Sequence, residues 1–265
     1  MEHSSDAPQT HPRVAVIAAL NEDRFIGSVV LKTRRYVDQV IVVDDGSHDQ
    51  TAAVAEEAGA TVIRHQRNLG KAQAVNTGLG RARELGASLV VLIDADGQHN
   101  PAEIPALIAP IAAGTADVVV GSRFLGVRSH IPRWRIWGQH VLTLATNLAS
   151  GVSISDSQSG FRVLSQRALE MLVFRPGGGF SLESEMQFLA QQHGLTIAEV
   201  PVSVTYAERP KRNPLGHGLQ VVNGIIVLIS QHRPLFFFGV PGLLILLLGL
   251  VLGIIVVDRY NTYQN

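Results

Sequence analysis

Apolar positions along the chain follow two different patterns. Up to about residue 123, short runs of β-branched and small apolar residues recur: "VAVIAAL" (14–20), "QVIVVDD" (39–45), "TVIRH" (61–65), "LVVLID" (89–94) and "DVVVGS" (117–122). These predict strands, and the amphipathic stretches between them predict helices over 23–36, 50–58, 70–85 and 101–113. Uninterrupted apolar strands alternating with helices imply an α/β fold, a mostly parallel sheet covered on both faces. The second pattern is the uncharged stretch 235–257, "LFFFGVPGLLILLLGLVLGIIVV". Its length suits a helix crossing the roughly 30 Å hydrocarbon layer of a bilayer, and a core helix this long would keep a polar stripe.

Flanking residues orient that span. Arg209, Lys211, Arg212 and Arg233 precede it, while Asp258 and Arg259 follow, so the positive-inside bias places everything before residue 235 on the cytoplasmic face. Pro241 and Gly242 predict a kink near its start. The tail 258–265 is short, which raises the expectation of a second span beyond it. Residues 1–12 are polar and read as a flexible N-terminus, neither signal peptide nor anchor. The α/β region occupies 13–215, and 216–234 turns from amphipathic to apolar, as an interfacial helix would. Residues 130–151 carry Arg133, Trp134, Arg135 and Trp137 ahead of a helix over 136–149 with a thin polar face, which also suits a membrane interface. "AERPKRNPLG" (207–216), rich in proline and charge, reads as a mobile loop.

Composition then removes several classes of function. The 265 residues carry a formal net charge of zero, which disfavours a nucleic-acid partner. Absence of cysteine excludes disulfides, thiolate metal sites and a cysteine nucleophile. The ten histidines show no zinc-ligand spacing.

The polar residues that end the strands carry the chemistry. Asn21 and Glu22 follow the first run, Asp44 and Asp45 the second, Asp94, Asp96 and Gln98 the fourth, and Ser122 and Arg123 the fifth. In a parallel sheet all of these emerge at the carboxyl edge, where ligands bind. No GxGxxG or GxxxxGK[ST] is present, so a dinucleotide or P-loop site is disfavoured. Carboxylates tolerate phosphate only with a divalent cation between them. Asp94 and Asp96 therefore read as oxygen ligands for Mg²⁺ or Mn²⁺ seating a diphosphate.

The ordered series "AALNED", "VIVVDDGSHDQT", "RNLGKAQAVNTG", "LIDADGQH", "VVVGSRF", "DSQSGFRVLS" and "LESEM" resembles the family 2 glycosyltransferases of GT-A fold. It is most similar to dolichyl- and polyprenyl-phosphate hexose synthases of the dolichol-phosphate-mannose type. The resemblance implies that Ala19, Asn21, Glu22, Asp44 and Asp45 hold the nucleoside, and that Lys71, Asp94, Ala95, Asp96 and Gln98 face the diphosphate sugar, with Asp94, Asp96 and Gln98 as the metal set and Asp96 and Gln98 nearest the ion. It implies catalytic roles for Asp96, Asp156 and Arg123, with Asp156 orienting the acceptor or acting as base. Arg162 is expected either to bind phosphate or to pair with a carboxylate. Glu183 and Glu185, two apart on a helix, cannot both face the sugar. Arg123, Arg133, Arg135 and Arg162 are the candidates for the acceptor phosphate, and Arg209 and Lys211 for the donor diphosphate. The family often has proline where Ala18 or Ala19 stands.

The expected activity is inverting transfer of a hexose from GDP-mannose or UDP-glucose, with N-acetylglucosamine open, to dolichyl or polyprenyl phosphate at the bilayer. Two alternatives remain: a transferase to a sugar hydroxyl, and a catalytically silent membrane-associated binding protein. A processive polysaccharide synthase would carry QxxRW, which is absent. The single span leaves room for a homo-oligomer.

Overall fold

The five apolar runs become strands β1 (Arg13–Ala19), β2 (Gln39–Asp44), β3 (Thr61–Arg64), β4 (Leu89–Leu92) and β5 (Val118–Ser122). The computed structural model describes residues 11–126, 133–174, 182–205 and 235–264. The loop 207–216 and the helix expected over 216–234 lie outside the described residues, with Arg209 and Lys211. Between the strands run α1 (Asp23–Thr33), α2 (Thr51–Glu57), α3 (Lys71–Glu84) and α4 (Ile104–Ala112), then α5 (Arg133–Ser150) after β5. Two further strands, β6 (Arg162–Ser165) and β7 (Ile197–Pro201), flank α6 (Gln166–Met171) and α7 (Leu182–Gln192).

The seven strands order as β3-β2-β1-β4-β6-β5-β7. All neighbours pair in parallel except β6, which runs antiparallel between β4 and β5, with Arg162 opposite both Leu92 and Val120. An antiparallel insertion has a functional result. It delivers the residues preceding β6, 155–161, to the carboxyl edge of the parallel strands. Chain order also reverses between β1 and β4, the switch point where open α/β sheets form their ligand crevice.

Alternation along the strands separates two apolar layers. Val14, Val16, Val43, Val90 and Leu92 pack with Ala74, Val75 and Leu79 of α3 and Met186 of α7. Ala15, Ile17, Val42 and Val91 pack with Ile26 and Val30 of α1 and Leu107 of α4. Gly78 sets the height of α3: a Cβ there would lie 2.3 Å from Val16 Cγ1.

At the C-terminus a π-helical turn (Leu235–Gly239) runs into α8 (Val240–Gln264). Val240–Tyr260 contains an 18-residue stretch with a mean hydropathy of 3.0 and is long and apolar enough to cross a membrane. None of its side chains is buried.

Candidate active site

The loops after β1 and β2 are knotted together. Asn21 adopts a left-handed φ of 55°, uncommon outside glycine. In that conformation its N–H donates to Ser47 Oγ and its Oδ1 accepts from the His48 N–H, each at 2.9 Å. The Glu22 N–H donates to Thr51 Oγ1 at 2.8 Å, and buried Asp44 accepts from the Ser47 N–H at 3.0 Å. Ala19 is buried beneath this corner.

Asp45, expected among the nucleoside ligands, faces inward. It accepts from the N–H groups of Leu69 and Gly70 at 2.9 and 2.8 Å and pairs with His65 Nδ1 at 2.7 Å. His65 Nε2 then meets Thr77 Oγ1 at 3.0 Å. Asp45 thus fixes the 65–70 turn at the N-terminus of α3, where a carboxylate also suits the helix dipole.

That turn sets down Lys71, whose ammonium bridges Asp94 Oδ1 at 2.7 Å and Glu183 Oε1 at 2.8 Å. Enclosure opposes the charge on Lys71, but the two carboxylates outweigh it and raise its pKa above the ordinary lysine value. Burial likewise opposes ionisation of Asp94 and Glu183, and Lys71 outweighs it, holding both below the usual carboxylate range. His99 Nε2 lies 3.5 Å from Asp94 Oδ2, with its ring 5.1 Å from that of Phe161. Gly160 presses on the same carboxylate: a Cβ would sit 2.4 Å from Asp94 Oδ2. The φ of this glycine in "DSQSGFR" is not in the left-handed region, so close approach rather than a tight turn explains it.

Asp96 differs from its neighbour. Its Oδ1 accepts from the Gln98 N–H at 3.0 Å, and its pKa is raised by burial and then by the adjacent Asp94 charge.

The other half of the site is built on Arg123 and Asp156. Asp156 is fully buried. Its Oδ2 accepts from Arg123 Nε at 2.6 Å and the Arg123 N–H at 3.1 Å, and its Oδ1 from Arg123 Nη2 at 2.7 Å and the Gln158 N–H at 3.3 Å. Arg162, an acceptor-phosphate candidate, is 1% exposed and donates to the carbonyls of Ser157 and Ser159, each at 2.8 Å. It staples the loop that carries Asp156. Burial lowers its pKa, which nearby Glu183 and Asp156 oppose. Arg133 and Arg135 open α5, their side chains outside the described set, and Glu185 is buried on α7.

Beneath the Lys71 bridge lies a small, mostly apolar cavity, where Asp94, Gly160, Arg162 and Glu183 meet Val16, Val75 and Met186 of the core. A sequence profile described as glycosyl transferase family 2 matches residues 14–172. The chain belongs to glycosyltransferase family 2. It is 35% identical over 215 residues to the UDP-N-acetylglucosamine–dolichyl-phosphate N-acetylglucosaminyltransferase of Methanococcus voltae, covering 73% of this chain and 85% of that one. It is 29% identical over 213 residues to the polyprenol monophosphomannose synthase of Mycolicibacterium smegmatis, covering 75% and 79%. Among solved structures, glucosyl-3-phosphoglycerate synthase of Mycobacterium tuberculosis with Mn²⁺ and UDP-glucose matches with a TM-score of 0.65 at 26% identity, covering 84% of this chain and 79% of that one.

For a family 2 glycosyltransferase of GT-A fold, the fit of a divalent cation is testable on the donor set. Among the described residues no three His, Asp or Glu side chains converge as ligands. Asp94 is taken up by Lys71 and His99. Among the described residues no side chain hydrogen-bonds to Asp96 or pairs with it, and the Gln98 amide lies two residues on. Hard oxygens around a carboxylate without a direct counter-ion among those residues suit Mg²⁺ or Mn²⁺. His65, His99 and Glu199 were absent from the expected site. A histidine three residues after Asp96 was the one visible signal among them.

Proposed function

We propose that this protein transfers a sugar from a nucleoside diphosphate to a polyprenyl or dolichyl phosphate. The observation that carries this is the state of its carboxylates. A sugar-hydroxyl acceptor needs a general base, for which Asp156 and Glu183 are the candidates. An ionised carboxylate offers about four lone-pair positions. Asp156 uses four, on three donors of Arg123 and the N–H of Gln158. Glu183 is held by Lys71. Neither is poised to take a proton. A lipid phosphate needs none removed, because it arrives as an anion.

The residues then divide the work. Asp96 and Gln98 would hold Mg²⁺ or Mn²⁺, which neutralises the leaving diphosphate when bound. Lys71, oriented by Asp94 and Glu183, faces the donor. Arg123, oriented by Asp156, receives the acceptor phosphate. Alignment and charge stabilisation supply the catalysis, in an in-line displacement that inverts the anomeric carbon. A uridine donor is favoured by the names of the Methanococcus voltae relative and of the Mn²⁺ complex.

Helix α5 supports a lipid substrate. Three of its polar residues turn inward: Thr143 meets Ser157 and Thr146 meets Ser184, each at 3.1 Å, and Asn147 holds Ile154, while His140 is exposed. Leu144 and Leu148 face outward, 61% and 57% exposed. Two exposed leucines following an exposed histidine on one stripe beside the acceptor half suit the headgroup–acyl boundary of a bilayer, into which α8 would anchor the chain with its α/β domain on the cytoplasmic side.

The test is transfer by the purified full chain. Labelled UDP-N-acetylglucosamine, UDP-glucose and GDP-mannose are each offered with Mg²⁺ or Mn²⁺, with and without polyprenyl phosphate. Metal-dependent label in the lipid phase, absent from Asp96→Ala, is expected. Label only in water-soluble product would overturn the lipid acceptor.

A further inference from the structure

The direction of the hydrogen bonds around Arg123 leads to Glu199, a residue of β7 outside every motif. A carboxylate only accepts, so the Ser155 hydroxyl, 2.7 Å from Glu199 Oε1, donates to it. Ser155 Oγ then has only lone pairs for Ser122 Oγ at 2.6 Å, which makes Ser122 the donor there. Ser122 Oγ in turn accepts from the Phe124 N–H at 3.2 Å. One polarised chain thus runs from Phe124 through Ser122 and Ser155 to Glu199, and it holds the residues on both sides of Arg123.

A second arm ends on the same carboxylate. Glu199 accepts from the Ser155 N–H at 2.8 and 2.9 Å and from the Asp156 N–H at 3.2 Å. The peptide from which Asp156 reaches Arg123 is therefore fixed by Glu199 as well. Backbone and side chain of Arg123 are governed from one acceptor, and linked hydrogen bonds of this kind strengthen one another. The sheet does not need that carboxylate: β7 is joined to β5 by its own backbone ladder.

We propose that Glu199 is the positioning residue of the Arg123–Asp156 pair, setting the angle at which the guanidinium meets the acceptor phosphate. The identity of that acceptor rests on the lipid-phosphate function above; the positioning itself does not.

Glu199→Gln in the full chain is the test. Glutamine keeps the shape but turns an N–H donor toward the Ser155 donors. Ser155→Ala cuts the hydroxyl arm alone. Glu199→Gln is expected to lower kcat for transfer by about 10- to 100-fold, the range typical of residues that orient a functional group, and to raise the acceptor KM. Donor Kd and donor hydrolysis by water stay within about twofold, because Lys71 and Asp96 are untouched. Ser155→Ala moves transfer the same way by a smaller factor. Wild-type transfer within about threefold in Glu199→Gln would overturn the proposal. So would an equal fall in transfer, hydrolysis and donor binding, the signature of a merely structural residue. Failure of the wild type to use polyprenyl phosphate sinks the lipid acceptor alone; the ratio of transfer to hydrolysis is then read with the acceptor the wild type does use, on the same criteria.

Discussion

Gly160→Ala places one methyl group against the carboxylate that orients Lys71. The new Cβ would lie 2.4 Å from Asp94 Oδ2 and 2.9 Å from Asp94 Cγ, where contacts below about 3.0 Å essentially never occur. Asp94 must therefore retreat by about 0.6–1.0 Å, which displaces the carboxylate that holds Lys71 at 2.7 Å. Two effects follow, of unequal size. The Lys71 and Asp94 side chains are 44% and 28% exposed, and ion pairs this wet contribute only about 0–1 kcal/mol. Overpacking adds about 1–3 kcal/mol, at the low end here because a carboxylate can swing. Melting temperature should fall only modestly. Catalysis is more sensitive: a 1 Å displacement of a positioning group costs about 10²-fold in rate, close to 2.7 kcal/mol of barrier.

The assay is initial-rate sugar transfer beside thermal unfolding, with Gly80→Ala as the matched control. Gly80 lies inside α3, and a Cβ there meets nothing within 4 Å. That control should keep full activity and gain about 0.5–1 kcal/mol from reduced unfolded-state freedom. Gly160→Ala with wild-type transfer would refute the close-approach account of this glycine. So would a rate loss no larger than its stability loss explains.

Three further outcomes are expected. Lys71→Met and Glu183→Gln each lower transfer by about 10²-fold, and the double variant is no worse than either by more than a few-fold, because both break one coupled pair; additive losses in a double-mutant cycle would contradict that. Asp96→Asn abolishes metal-dependent nucleotide binding measured by Mn²⁺ titration, whereas Asp94→Asn retains most of it and loses turnover; equal loss in both would return Asp94 to the metal. Leu144→Asp with Leu148→Asp raises the KM for long-chain polyprenyl phosphate about tenfold and leaves a short, water-soluble phosphate analogue unaffected; an equal effect on both would place α5 away from lipid.

Some of this was legible from the chain and some was not. Strands β1, β2, β4 and β5 could be read because parallel strands buried on both faces are written as uninterrupted apolar runs, and their polar endings then fall at one edge; edge strand β3 shows only the half-buried pair Val62–Ile63. The four residues of β6 begin with Arg162, and β7 carries Glu199 at its centre, so neither shows such a run. Which way an acid points is also invisible locally. Asp45 turns inward because the amides of Leu69 and Gly70, 24 and 25 residues on, converge on it. Glu199 reaches Ser155 across 44 residues. Spacing of motifs announces that carboxylates gather; only the packing of loops decides which are counter-ions and which are left to bind a ligand.

That distinction bears on the chemistry. Lys71 is fixed by Asp94 and Glu183, and Arg123 by Asp156, with Asp45 and Glu199 fixing the backbone from which each cation extends. Cations set in place before substrate arrives need little reorganisation as charge develops, which is where preorganised sites gain most of their rate. The same arrangement consumes the acids a deprotonating enzyme would need. A site that commits Asp156 and Glu183 to holding cations works best on an acceptor already charged at neutral pH, and a phosphate monoester presented at a lipid surface meets that requirement. A hydroxyl acceptor would first have to pull Asp156 from Arg123, breaking three hydrogen bonds to that carboxylate before any bond to the sugar forms.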